Sequence, residues 1–141
     1  MENVYYAAIT CLPNLEYLNI NYLSIIDNSL NFMPSIKSLE CRENLLIHDD
    51  CLSNLIQTSP NLIFLDVTWC SRVTNDLIHV AIKETKFRTN NLILKILIKG
   101  TSIALSNLKN LSPFLEVIEE KKRMVSKYPV YKDSIYEYLK F

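Results

Sequence analysis

Glycine is nearly absent, at one residue in 141. That removes every glycine-rich phosphate loop, which needs several positions where the backbone can wrap an anion without a Cβ in the way. Net charge is absent too, with fifteen basic side chains balancing fifteen acidic ones. A neutral chain has no bulk attraction to nucleic acid or to an anionic membrane, so neither is expected as a partner. No apolar run approaches the length of a membrane span. The opening stretch from Met1 to Tyr6 has neither a basic region nor a signal-type apolar core. Nothing therefore directs secretion, and a cytoplasmic or nuclear location is expected.

Motifs that carry chemistry are also missing. The cysteines, Cys11, Cys41, Cys51 and Cys70, include no C-x-x-C pair, and without a secretory signal their thiols are expected to stay reduced. A zinc site would need two or more of them to converge with a histidine. They are read instead as small buried apolar groups, with Cys41 and Cys70 at inward positions. His48-Asp49-Asp50-Cys51 has the residue types of a metal or catalytic cluster. It stands, however, at a turn into a helix, where a capping or solvated role suits it better. With no nucleophile elbow and no paired acid motif, neither an enzyme nor a cofactor is expected.

What the chain does contain is a recurring pattern, clearest between Ser59 and Ile78. Leu62, Leu65, Val67, Cys70 and Val73 fall in the spacing L-x-x-L-x-V-x-x-C-x-x-V, followed by Thr74-Asn75-Asp76. Alternating Leu65 and Val67 suit a short strand with one buried face. Cys70 then turns the chain inward, where a small buried group can satisfy backbone amides of the turn. Thr74 or Asn75 can cap the helix that follows. The template recurs at Leu15, Leu18, Ile20, Leu23 and Ile26, at Ile36, Leu39, Cys41, Asn44 and Ile47, and at Ile93, Ile96, Ile98, Thr101 and Ile103. Pro13, Pro34 and Pro60 precede three copies, Asn91-Leu92 replaces the proline in the fourth, and the copies are 21, 26 and 31 residues apart.

This is the spacing of a leucine-rich repeat with cysteine at the asparagine position. It predicts an α/β solenoid, a right-handed β-α superhelix with a short parallel sheet on its concave side and helices on its convex side. Strands are expected near residues 15–20, 36–41, 62–67 and 93–98, with helices over Asp49 to Thr58 and Asn75 to Arg88. Leu77, Ile78, Ala81 and Ile82 form the inner stripe of the second helix. The repeats are expected to occupy residues 1–111, and residues 112–141 a C-terminal helical cap or tail, including an exposed charged helix from Leu115 to Val125. Glu2 to Cys11 reads as the helix of a repeat whose strand is missing. It is either an end cap or the point where a longer array is cut.

In such an array the outward strand residues face a ligand. The template assigns Tyr17, Asn19 and Asn21 to the first strand, Ser38, Glu40 and Arg42 to the second, Phe64, Asp66 and Thr68 with Trp69 at the edge of the third, and Lys95, Leu97 and Lys99 to the fourth. Exposed aromatics with an interleaved arginine have the composition of an interface hot spot. Trp69 has two readings, a binding-face residue or a ring packed onto a neighbouring turn. Asp66 and Glu40 beside Lys95 and Lys99 would set a charge gradient along the face. On this reading Asp66→Ala leaves folding nearly intact and changes only binding.

The segment LDVTWCSRVTNDLI resembles the cysteine-containing leucine-rich repeats of F-box proteins, and SLECRENLLIHDDCL and RTNNLILKILIKGTSI echo it. The resemblance covers roughly Leu12 to Ile103. It implies a region that binds a substrate protein for a cullin-type ubiquitin ligase and leaves the chemistry to other subunits. In that family an N-terminal F-box docks on the cullin-linked adaptor. No F-box-like segment precedes these repeats, so an adaptor is expected as partner only if one lies upstream. A free-standing repeat scaffold with no part in ubiquitination is the alternative.

Overall fold

The computed structural model describes residues 13–23, 30 and 33–119. The expected segments Glu2 to Cys11 and residues 120–141, and most of the segment Asp27 to Met33, lie outside the described residues. The chain is an α/β protein in which five short strands build one all-parallel sheet and alternate with helices. In order they are β1 (Tyr17–Asn19), β2 (Ser38–Glu40), α1 (Asp49–Thr58), β3 (Phe64–Asp66), α2 (Asn75–Lys86), β4 (Leu94–Leu97), a 3-10 turn (Leu105–Asn107) and β5 (Leu115–Ile118). Spatial order follows chain order.

Two-residue periodicity explains the inner face of the sheet. Leu18, Leu39, Leu65, Ile96 and Val117 stand side by side across the five strands, and the middle three are fully buried. Ile20, Cys41, Val67 and Ile98 form the next buried row. Both helices close this core. Cys51, Leu52, Leu55 and Ile56 are the buried face of α1, and Leu77, Ile78, Ala81 and Thr85 that of α2, with Ile82 partly buried. Complete burial of each leucine-sized side chain contributes about 1.5–3 kcal/mol.

The turns repeat as faithfully as the strands. Met33, Ser59 and Ser112 carbonyls accept the N–H groups of Ile36, Leu62 and Leu115 across Pro34, Pro60 and Pro113, because proline pre-sets the first turn residue and has no N–H to satisfy. Beyond the strands, Tyr22, Glu43 and Trp69 donate their N–H groups to the carbonyls of Arg42, Thr68 and Lys99, extending the parallel ladder. Each of these three residues has positive φ, at 64°, 51° and 61°, and the fourth in the row is Gly100 at 74°. Three side-chain-bearing residues therefore hold a left-handed backbone at a cost of about 1–2 kcal/mol each.

Side chains also tie each unit to the next. Asp49, the first residue of α1, accepts the backbone N–H of Thr74 at 2.9 Å and its hydroxyl at 2.5 Å. Thr74 in turn accepts from the N–H of Asp76 and caps α2. Asn75, the first residue of α2, reaches forward in the same way and accepts the Ala104 N–H at 2.8 Å. His48, expected as a possible cap, occupies the N-cap position of α1 but makes no side-chain capping bond, and Asp49 and Asp50 place negative charge in the first turn, where the helix dipole favours it.

Two expectations need correction. Ile93 was assigned to the core, yet it is 44% exposed while Leu94 is fully buried. The fourth copy lacks the proline turn. The Asn90 side chain accepts the Leu92 N–H instead, and Asn91 takes a φ of 58°, so the chain reaches its strand on a different path. The helix placed from Leu115 is, over its first four residues, the strand β5, parallel to β4. The step from Lys95 to Glu116 matches that from Tyr17 to Ser38, and Ser112-Pro113 supplies the usual turn. The charged run that suggested an exposed helix begins only at Glu119, beyond the strand.

Candidate protein-binding surface

The outer face of the sheet is more polar and less open than the strand pattern implies. Asn19 and Asn21 donate from their Nδ2 atoms to Glu40 Oε2 at 3.0 and 3.3 Å, and Asn21 Oδ1 accepts the Arg42 N–H at 2.7 Å. Arg42 Nε is bonded to Asp66 Oδ2. The other Asp66 oxygen accepts the Thr68 N–H at 3.0 Å and its hydroxyl at 2.5 Å. These contacts link three strands in one continuous polar chain. Its central members are enclosed: Glu40, Arg42 and Thr68 are buried, and Asp66 is fully so. Charges can be buried this way only because each has a partner of opposite sign or a donor aimed at it.

Glu40, Arg42, Asp66 and Thr68 are therefore corrected from exposed residues to a buried network, and the burial of Asp66 now leads us to expect that Asp66→Ala weakens the fold. The charge gradient is corrected as well. Asp66 is paired internally, and Lys95, half-buried beside half-buried Phe64, forms an ion pair with Glu116 at 3.7 Å. Ser38 and Leu97 are buried too. What remains accessible from the expected face is Tyr17, Asn19, Trp69 and Lys99, with Asn21 half-buried. Tyr22, 58% exposed, and Glu43, also exposed, join them at the crest where the strands end. The strand pattern missed Glu43; counting five residues on from Ser38, as from Phe64 to Trp69, would have found it.

Trp69 packs onto a neighbouring turn and still stays open to solvent. The benzo ring of its indole lies where a Cβ on Gly100 would be, 2.8 Å from Cζ3 and nearer still to Cε3 and Cδ2, yet the residue stays 51% exposed. The chain's single glycine is thus required twice, by its positive φ and by the ring above it. Gly100→Ala is expected to destabilise the fold by about 1–3 kcal/mol and to shift the emission of this sole tryptophan as the ring is displaced. Urea unfolding followed by fluorescence measures both. Wild-type stability with unchanged emission would show that the close approach is not needed.

Cys41, Cys51 and Cys70 are buried and are not joined in disulfides. Cys70 donates its S–H to the Cys41 carbonyl at 2.9 Å, and Cys41 to the Asp66 carbonyl at 3.3 Å. The Cys70 side chain thus satisfies a carbonyl of the adjacent strand rather than amides of its own turn. At the equivalent place Asn44 does bond turn amides, those of Leu46 and Ile47. The hydrogen bond with Cys70, then burial, hold the Cys41 thiol well above its ordinary value. The native state therefore keeps a proton on Cys41 that the unfolded chain releases above about pH 8.5, so this contribution is complete below that pH and falls as pH rises further; the same contact lowers the Cys70 thiol, which works in the opposite direction against the larger rise at Cys41. The urea midpoint is expected to drop between about pH 8 and pH 9.5, and less steeply in Cys41→Val. Equal slopes would show that Cys41 does not contribute.

Among the described residues no group of histidine, cysteine or acidic side chains gathers that could hold a metal ion. No helix among them is long and apolar enough to cross a membrane. Comparison with protein-family models, with curated proteins and with solved structures finds no match to this chain.

Proposed function

We propose that this chain is a protein-binding leucine-rich-repeat solenoid, the substrate-binding region of an F-box-type receptor acting in ubiquitin-dependent protein degradation. The observation that carries the solenoid is the row Tyr22, Glu43, Trp69 and Gly100, where positive φ recurs at one register position on four successive strands. Together with consecutive parallel strands in chain order, it supports one structural unit repeated along an axis. Such arrays bind proteins through the surface their strands and turns present. The accessible Tyr17, Tyr22 and Trp69 supply the aromatic anchors that interfaces favour.

The link to ubiquitin rests on the resemblance of LDVTWCSRVTNDLI and its two echoes to F-box repeats. Immunoprecipitation of the endogenous protein with an antibody to the repeats, read by mass spectrometry, tests it. Recovery of a cullin and its adaptor is the expected result. Reproducible recovery without ligase components would overturn the receptor reading in favour of a free-standing scaffold.

A further inference from the structure

We propose that Cys41 and Cys70 are a peroxide-sensitive pair, two thiols that close reversibly into a disulfide tying the end of β2 to the turn after β3. The inference goes beyond the binding reading and does not depend on it. Its basis is contact. Cys41 follows β2 directly and donates its N–H to the Asp66 carbonyl of β3 at 2.9 Å. Cys70 closes a turn just past β3, its own N–H bonded to the Val67 carbonyl at 2.9 Å. Its sulfur reaches the Cys41 carbonyl, also at 2.9 Å, and the two thiols share a hydrogen bond. From such a contact to an S–S bond of about 2.05 Å, the sulfurs close by roughly 1.5–2 Å. Side-chain rotation covers a movement of that size.

The pair is also chemically unequal. Closing a disulfide with peroxide takes one thiolate that attacks and a second thiol that resolves the product. Cys70 is the attacking group. The hydrogen bond from Cys41 favours its thiolate, burial opposes it and the Asn44 N–H favours it again, and the balance holds this thiol below its ordinary value. The Cys70 thiolate attacks one peroxide oxygen, the O–O bond breaks, and the departing hydroxide takes up a proton and leaves as water. Cys41 then attacks the sulfur of the Cys70 sulfenic acid, gives up its own proton, and the S–O bond breaks to release a second water. Two thiols lose two electrons and one peroxide gains them. Both side chains are fully buried, so the oxidant must be small and uncharged, as hydrogen peroxide is. Cys51 is the third buried thiol among the described residues. It acts on Cys41 through charge alone, without the hydrogen bond that joins the other two.

The test treats the reduced full chain with hydrogen peroxide in native buffer, alkylates the remaining thiols, weighs the product intact and maps its peptides. The chain has four cysteines, and half of them are expected to escape alkylation, with one linked peptide pair joining Cys41 to Cys70. Dithiothreitol is expected to restore both thiols. The same treatment in urea is the comparison, since an unfolded chain gives mixed pairs. Cys51→Ala is expected to keep the link, and Cys70→Ala to lose it and to slow thiol loss at least about tenfold. Bridging through Cys11 or Cys51 in the native chain would overturn the proposal. So would oxidation of Cys70 without a link to Cys41, or survival of every thiol at a peroxide dose that oxidises the unfolded chain. These outcomes are all read on the wild-type chain, so they decide the matter whether or not a variant folds.

Discussion

Leu65→Asp is expected to leave no cooperatively folded protein. Leu65 lies at the middle of the central strand, aligned with Leu39 and Ile96, and is fully buried. An aspartate there must either stay charged without a partner or take up a proton in an apolar site. Either route costs several kcal/mol, against a total stability of about 5–15 kcal/mol for a domain of this kind. Damage spreads because each strand pairs only with its neighbours, so losing the third strand separates the first two from the last two. Urea unfolding followed by circular dichroism should show no sigmoidal transition. A soluble variant with the wild-type transition would mean that strand side chains alternate the other way, since a shift of one residue exchanges the two faces.

Arg42→Ala is expected to cost about 3–5 kcal/mol, because it leaves the fully buried Asp66 carboxylate without its cation. Asp66→Ala should cost a similar amount for the mirrored reason, since it strands a buried guanidinium. It also removes the acceptor of the Thr68 N–H and hydroxyl. The double variant Arg42→Met with Asp66→Leu should regain much of the loss, as apolar groups of similar volume need no partner. Urea unfolding of wild type, both alanine variants and Arg42→Ala/Asp66→Ala completes a double-mutant cycle whose coupling measures the pair. Wild-type stability in Asp66→Ala would show that the network adds nothing to the fold.

The inner face was legible in the sequence because its determinants are local. Period-two apolar residues, a proline before four of the five strands and the Thr74-Asn75-Asp76 cap each act within a few residues of themselves. The central strand, both helices and the inward cysteines follow from them. Where those signals change, legibility ends. Asn90 and Asn91 replace a proline turn with a different hydrogen bond and a left-handed residue, and the core position moves from Ile93 to Leu94. At β5 the strand was hidden because charged residues follow it so closely that the segment read as a solvated helix.

The outer face was misread for a deeper reason. Alternation says which side of a sheet a residue occupies, and it says nothing about whether that side is open to water. Glu40, Arg42, Asp66 and Thr68 do lie opposite the apolar rows, as their spacing requires. Thr68 bonds to Asp66 two residues back, but Glu40, Arg42 and Asp66 are buried with partners 19 to 24 residues away that only strand pairing brings within reach. The crest likewise needed the register between strands before Tyr22, Glu43 and Trp69 became neighbours, and the contact between Trp69 and Gly100 before one ring was fixed. Local pattern was enough to place the layers of this protein. Its charge pairing and its accessible surface arise between segments far apart in the chain, because they depend on distance in space.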